Sequence, residues 1–290
     1  MIPQEIEISL VDYFSGNHNV NVEFGKTSSL SGGCINSVYR LQTSVGVFCL
    51  KFNLCDRFPE MFTSEAKGLS LLKSAGEIQV PEVYCTGLTG SFAYILMEFI
   101  DQGRKHSSFM QDFGQSLARL HKHSSSFFGL EIDNYMGSLP QVNKKHSNWN
   151  EFFIEERLKK QVSLGKEYFS SSDLRAFENL YGKLDELLVV EPPALLHGDL
   201  WGGNYMVAQN GKACLIDPAV YYGHREVDIA MTTLFGGFDD QFYESYNQEY
   251  PLEKGWQQRL DIFKLYPLLI HLNLFGSGYL GSILSIIRRF

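Results

Sequence analysis

In the first hundred residues, apolar positions cluster in short runs broken by glycine. Val22 to Leu30, Ser37 to Thr43 and Val47 to Asn53 are rich in β-branched and aromatic residues. Ser31-Gly32-Gly33 and Ser44-Val45-Gly46 separate them, so the three segments read as strands joined by turns. A helix is predicted from Pro59 to Ser74, where the proline suits a first turn and Phe62, Leu69 and Leu72 recur at helical spacing. Two more strands are predicted near Val80 to Tyr84 and Phe92 to Phe99.

After Ile100 the pattern changes. The polar stretch DQGRKHSS reads as a hinge, and helical periodicity dominates beyond it. Helices are predicted over 109–121, 150–164, 173–189, 226–235, 239–249 and 256–275, the last bending at Pro267, which cannot donate the internal hydrogen bond. The fold class expected is α+β with two lobes. Residues 1–98 form a small antiparallel-sheet lobe with one helix, and residues 99–290 a larger, mainly helical lobe.

Composition narrows the function. The 290 residues are 44% hydrophobic and 20% charged, as in an ordinary folded protein. The net charge of -8, with basic residues scattered, repels a nucleic-acid backbone. The N-terminal stretch MIPQEIEISLVDYF lacks the basic and apolar regions of a signal peptide, and no apolar run is long enough to span a bilayer. A cytoplasmic protein without a membrane segment is expected. Five widely spaced cysteines without a CxxC pair suit reduced thiols, and the eight histidines show no metal-ligand spacing.

The stretch from Leu195 to Ala219, LLHGDLWGGNYMVAQNGKACLIDPA, carries the chemistry. Asn210-Gly211 is a strong signal for a two-residue hairpin turn between Tyr205–Ala208 and Ala213–Ile216. That turn would set Asn204 directly opposite Asp217, with their side chains on one face roughly 4.5–5.5 Å apart at Cβ. An amide oxygen and a carboxylate converging on one point suit magnesium, which takes few protein ligands besides phosphates and water. A polar pair at the open end of a surface hairpin has the same spacing. Asp199 distinguishes the two, because it precedes Asn204 by the interval of the kinase catalytic loop, where the aspartate accepts the proton of the attacking hydroxyl.

Upstream, Lys51 ends the strand VFCLK, whose Phe48, Leu50 and Phe52 share one face while Cys49 and Lys51 share the other. Glu65 lies three residues after Phe62 and four before Leu69, on the inward face of the predicted helix. A carboxylate facing inward needs a partner, and Lys51 is the candidate. Gly32-Gly33 would let backbone approach phosphates closely.

With these residues assembled, the chain resembles the fructosamine kinase (ketosamine 3-kinase) family, a branch of the aminoglycoside-phosphotransferase-like kinases with a protein-kinase-like fold. The resemblance rests on SGGCIN at 31–36, VFCLK, Glu65, LARLH at 117–121, HGDLWGGN at 197–204, IDPAVYYGHREVDIA at 216–230 and LFGGF at 234–238. It implies ATP and Mg2+ as cofactors, Asp199 as proton acceptor, Asn204 and Asp217 as magnesium ligands, and Lys51 with Glu65 on the phosphates. Met97, Glu98, Phe99 and Ile100 would bond adenine through main-chain groups. The implied reaction phosphorylates the 3-hydroxyl of a ketosamine, free or on a glycated protein, and leads to its deglycation. Asp-Pro-Ala stands where protein kinases carry Asp-Phe-Gly, and no Ala-Pro-Glu segment follows, which argues against activation-loop control.

Trp201, Tyr222, His224 and Glu226 are the expected substrate contacts, with Asp228 bracing the catalytic loop. Cys34, beside Gly32-Gly33, is a candidate redox-sensitive thiol. Two other readings stand beside this one: a kinase of the same fold for another amino alcohol such as an aminoglycoside or choline, and a silent nucleotide-binding pseudokinase.

Overall fold

The computed structural model describes residues 2–18, 20–30 and 35–290. Its N-terminal part is one antiparallel sheet of β1 (Phe24–Ser29), β2 (Ser37–Thr43), β3 (Gly46–Leu54), β4 (Val83–Thr89) and β5 (Phe92–Glu98), in the order β1-β2-β3-β5-β4. The central strand β3 alternates as its sequence requires. Phe48, Leu50 and Phe52 pack against Ile6, Leu10 and Phe14 of a helix α1 (Gln4–His18), while Lys51 faces the opposite side. Burying each such large apolar side chain contributes about 1.5–3 kcal/mol. On the sheet's other face, Ala93, Ile95 and Met97 meet Phe62, Leu69 and Leu72 of α2 (Met61–Ala75), in a core that runs on into the helical part. Thus β5, sharing a core with the helical body, anchors the sheet to it.

That body comprises α3 (Phe109–Leu120), a hairpin of β6 (Asn134–Met136) and β7 (Leu139–Gln141), α4 (Trp149–Phe152), a π-helical turn over Phe153–Leu158, α5 (Lys159–Leu164), α6 (Ser171–Tyr181) and α7 (Leu184–Leu187). Then follow β8 (Ala194–Leu196), β9 (Tyr205–Val207), β10 (Ala213–Leu215), β11 (Tyr221–Gly223), α8 (Glu226–Thr232), α9 (Asp240–Glu249), α10 (Trp256–Phe275) and α11 (Leu280–Ile287). Two-stranded ladders join β8 to β11 and β9 to β10, holding the segments on either side of the DPA motif.

Several elements differ from expectation. Helix α1 and the terminal α11 were not predicted, nor was the β6–β7 hairpin. The second helix starts at Met61, because Glu60 takes a left-handed φ of 58° and leaves Pro59 outside. Strand β4 begins beyond Pro81, which has no N–H to give a ladder. The helix predicted over 173–189 splits between Tyr181 and Leu184, and the one over 226–235 stops at Thr232.

The largest correction concerns the hairpin register. The ladder pairs Val207 with Ala213 and Tyr205 with Leu215, so a three-residue turn of Gln209, Asn210 and Gly211 replaces the two-residue one. Gly211 N donates to Ala208 O at 2.8 Å and Gly211 has φ 79°, the type I turn followed by a left-handed glycine that closes three-residue hairpins. Asn204 therefore faces Ile216, whose N–H donates to its carbonyl at 3.0 Å, and not Asp217.

Helices α3 and α9 cross at Gly114, where a Cβ would stand 2.2 Å from Phe242 O and 2.5 Å from Ser245 Oγ. Alanine is favoured over glycine within a helix by about 1 kcal/mol, but the backbone carbonyl at this crossing cannot yield. We expect Gly114→Ala to lower stability by about 1–3 kcal/mol, read as a fall in the urea midpoint. A rise would mean that the helices do not touch here.

Candidate active site

Three chain segments converge at the sheet's lower edge. Lys51 Nζ donates to Glu65 Oε1 of α2 at 2.7 Å and also to Asp217 Oδ1, so one buried ammonium joins sheet, helix and the turn after β10. Burial alone would lower the Lys51 pKa, but the Asp217 and Glu65 carboxylates reverse this and raise it, keeping the cation charged. The Asp217 side chain remains 48% exposed, so its second oxygen is free to meet a ligand. Asp217 also has φ 53°, a left-handed conformation that costs a non-glycine residue of order 1–3 kcal/mol. That twist lets Asp217 line the cleft together with Asn204 although the two are not paired in the ladder.

The loop between β8 and β9 is held from beneath. Asp228, fully buried on α8, accepts from His197 N at 2.7 Å, Gly198 N at 2.9 Å and His121 Nε2 at 3.2 Å. The brace expected of Asp228 is thus seen in its contacts. His197 donates from Nε2 to Ile216 O at 3.0 Å, and its Nδ1 accepts from Asp199 N at 3.3 Å. These roles fit a neutral ring, in line with the downward pKa shift caused chiefly by burial. Gly198, at φ 85°, is required because a Cβ would lie 2.1 Å from Ala219 O.

Asn204 Nδ2 donates to Asp199 O at 2.8 Å and to Asp199 Oδ2 at 2.9 Å. Both amide protons are therefore spent on Asp199, which leaves Asn204 Oδ1 as an acceptor. Oδ1 and the Asp217 carboxylate form an oxygen-only donor pair suited to a hard divalent cation. Among the described residues, no group of three or more His, Cys, Asp or Glu side chains is placed to hold a metal.

Burial pushes the Asp199 carboxyl up to about 7; the Asn204 amide opposes the rise, while the charges of Asp217 and Asp228 add to it. A carboxylate so placed is a stronger base than an exposed one.

Two cavities meet at this cluster. The larger, about 610 Å³, runs from the strand end Met97–Ile100 past Val38, Cys49 and Met206 to Lys51. The smaller, about 230 Å³, is walled by Ile35, Met61, Tyr135 and His271. Lys51, Glu65, Trp201, Asn204 and Asp217 line both, whereas Asp199 lines only the smaller one.

Of the expected substrate contacts, Trp201 stands in the cleft, edge-on to Phe235 at 5.9 Å and directly over Gly203, whose Cβ would strike its ring. The other three are corrected. His224 and Glu226 have no exposed surface. His224 packs at a tilt against Phe263, ring centroids 4.8 Å apart, and Glu226 accepts from Arg259 Nε at 2.9 Å. Tyr222 sits in the β8–β11 ladder beside Phe127 and lines neither cavity. Their motif builds the core beneath the loop. Gly32, Gly33 and Cys34 lie outside the described residues. Sequence reasoning missed the hairpin residues Asn134–Gly137, which line the smaller cavity. The only signal was two short runs about Gly137-Ser138.

A family model described as fructosamine kinase matches residues 9–290. A probable ketoamine kinase of Enterococcus faecium is 40% identical over 272 residues, covering 92% of this chain and 95% of its own. A chloroplastic protein-ribulosamine 3-kinase of Arabidopsis thaliana is 40% identical over 270 residues, covering 90% and 81%. The crystal structure of a putative fructosamine-3-kinase from Haemophilus somnus superposes with a TM-score of 0.87 at 27% identity, covering 97% and 96%.

The raised Asp199 pKa has a consequence for the free protein. Between its unfolded value near 4 and about 7, the folded state holds the proton more tightly, so stability falls as pH rises through that window. Asp199→Asn removes the cost. We expect the variant to melt about 2–4 °C or more above the unsubstituted protein at pH 8, and at nearly the same temperature at pH 3.5, below the unfolded pKa. A constant difference across pH would show that Asp199 titrates normally.

Proposed function

We propose that this chain, which belongs to the fructosamine kinase family, transfers the γ-phosphate of ATP to the 3-hydroxyl of a ketosamine, free or attached to a protein. The observation that carries the reading is the pairing of cavities. The larger accepts the nucleotide, with adenine against Met97, Glu98, Phe99 and Ile100, and the smaller accepts the sugar beside Asp199. The ATP lobe is taken as residues 1–98 and the acceptor lobe as 99–290. Gly32 and Gly33 are assigned to the phosphate loop, and the reaction is placed in the cytoplasm.

Asp199 accepts the proton of the 3-hydroxyl as that oxygen bonds to the γ-phosphorus and the bond to the bridging oxygen breaks, releasing ADP. Lys51, oriented by Glu65, draws in the phosphates. Asn204 Oδ1 and Asp217 would hold magnesium, which neutralises charge on the transferring group. Trp201 covers one face of the sugar. The 3-phosphate product is unstable and sheds the amine, which makes the reaction a repair of glycated amines.

The relatives named above are a ketoamine kinase and a ribulosamine kinase, which favours this acceptor over an aminoglycoside or choline. A silent nucleotide-binding protein would leave Asp199 without a task. Phosphate transfer measured with fructosyl-lysine, ribulosyl-lysine, choline and an aminoglycoside decides the acceptor, and we expect turnover of the first two alone. Asp199→Asn should lower kcat by about 10²–10⁴-fold while magnesium-ATP still binds. Turnover of the aminoglycoside without either ketosamine, or an unimpaired variant, contradicts the reading.

A further inference from the structure

The strained turn at Asp217 has to be held on both flanks. On the upstream side, Ile216 is tied to Asn204. On the downstream side, Ala219 N donates to His197 O at 2.9 Å, while the carbonyls of Ala219 and Val220 accept from a buried set of amides.

That set begins at the β6–β7 hairpin. Gln141 Nε2 donates to Ala219 O at 3.0 Å and to Asn134 Oδ1 at 2.8 Å, while its own oxygen accepts from Tyr266 Oη at 3.0 Å. Asn134 Nδ2 donates to Val220 O at 2.8 Å, and its oxygen also accepts from Asn143 Nδ2 at 3.0 Å. Asn143 Oδ1 in turn accepts from Arg157 Nη2 at 2.7 Å, whose guanidinium lies 4.2 Å over the Tyr221 ring. Every one of these side chains is at least nine-tenths buried. With oxygen and both amide protons engaged, Gln141 has a single orientation and is fixed in place.

The same hairpin bounds the acceptor cavity. Asn134, Tyr135, Met136 and Gly137 all line it, and Tyr135 Oη reaches Pro59 O at 2.8 Å, tying the hairpin to the entry of α2. One short element therefore lines the acceptor cavity and also bonds the flank of Asp217.

We infer that the β6–β7 hairpin positions Asp217 from the acceptor side, with Gln141 as the positioning residue. The inference rests on the reading that Asp217 holds the metal of the nucleotide. Partners that bond a metal ligand directly typically change metal affinity or activity by about 10–100-fold when removed, and Gln141 acts on Asp217 through the backbone two residues on.

The test uses the full chain and Gln141→Met, which keeps the volume and removes the donors. ADP binding is measured by calorimetry with and without magnesium, alongside the melting temperature and kcat. We expect unchanged metal-free ADP affinity, a melting temperature lowered by the buried partners left unpaired, a roughly tenfold smaller tightening of ADP by magnesium, and a kcat reduced about 10–100-fold. A magnesium effect unaltered by the substitution overturns the inference alone. So does a loss of metal-free ADP affinity in step with the melting temperature, since that is what damaged packing produces. No magnesium effect in the unsubstituted protein overturns the metal assignment and the inference with it. Should Gln141→Met fail to fold, Asn134→Asp, which sets an acceptor oxygen in place of the donor to Val220, is read the same way.

Discussion

One buried cation organises this molecule. Lys51 is almost without exposed surface, and an ammonium so placed persists only if carboxylates compensate its lost hydration. Glu65 and Asp217 do so from two other parts of the chain. The sheet, helix α2 and the DPA turn are thereby fixed relative to one another by charge as well as by the apolar core they share. Removing either carboxylate leaves a cation partly uncompensated, whereas removing the lysine leaves two carboxylates facing each other; the cluster stands or falls together.

Around that cation the backbone is drawn tighter than ordinary side chains would allow. Gly198 presses on Ala219 O, Gly202 on the carbonyl of Gly236, and Gly203 lies under Trp201. The HGDLWGGN and LFGGF segments are consequently two halves of one contact. The close approach sets Asp199 against Asn204 and leaves a single amide oxygen facing the cleft. Asp228 and His197 support this arrangement from below without entering either cavity.

Much of this was legible in the sequence because it rests on local rules. The alternation in VFCLKF predicted which side of β3 carries Lys51, and the position of Glu65 between Phe62 and Leu69 predicted its partner. What stayed hidden depended on non-local packing. Helix α1 buries Ile6, Leu10 and Phe14 at a spacing of four, but the exposed Ile8 and Val11 blur that stripe. Asn-Gly serves two-residue and three-residue turns alike, so the β9–β10 register was read one position out. The left-handed twist at Asp217 then brings the carboxylate to the cleft by a route no pairing rule contains. His224 and Glu226 looked like site residues because they are polar and follow the motif; the partners that bury them, Phe263 and Arg259, lie more than thirty positions away.

The central claim is that Asn204, Asp217 and Asp199 act on one reaction centre where the two cavities join. A crystal structure with a non-hydrolysable ATP analogue, magnesium and a ketosamine tests it most directly. We expect one ion bound by Asn204 Oδ1 and Asp217 at about 2.0–2.1 Å, with the 3-hydroxyl about 2.6–3.2 Å from an Asp199 oxygen. An ion held elsewhere, or a sugar bound with that hydroxyl turned away from Asp199, would contradict it.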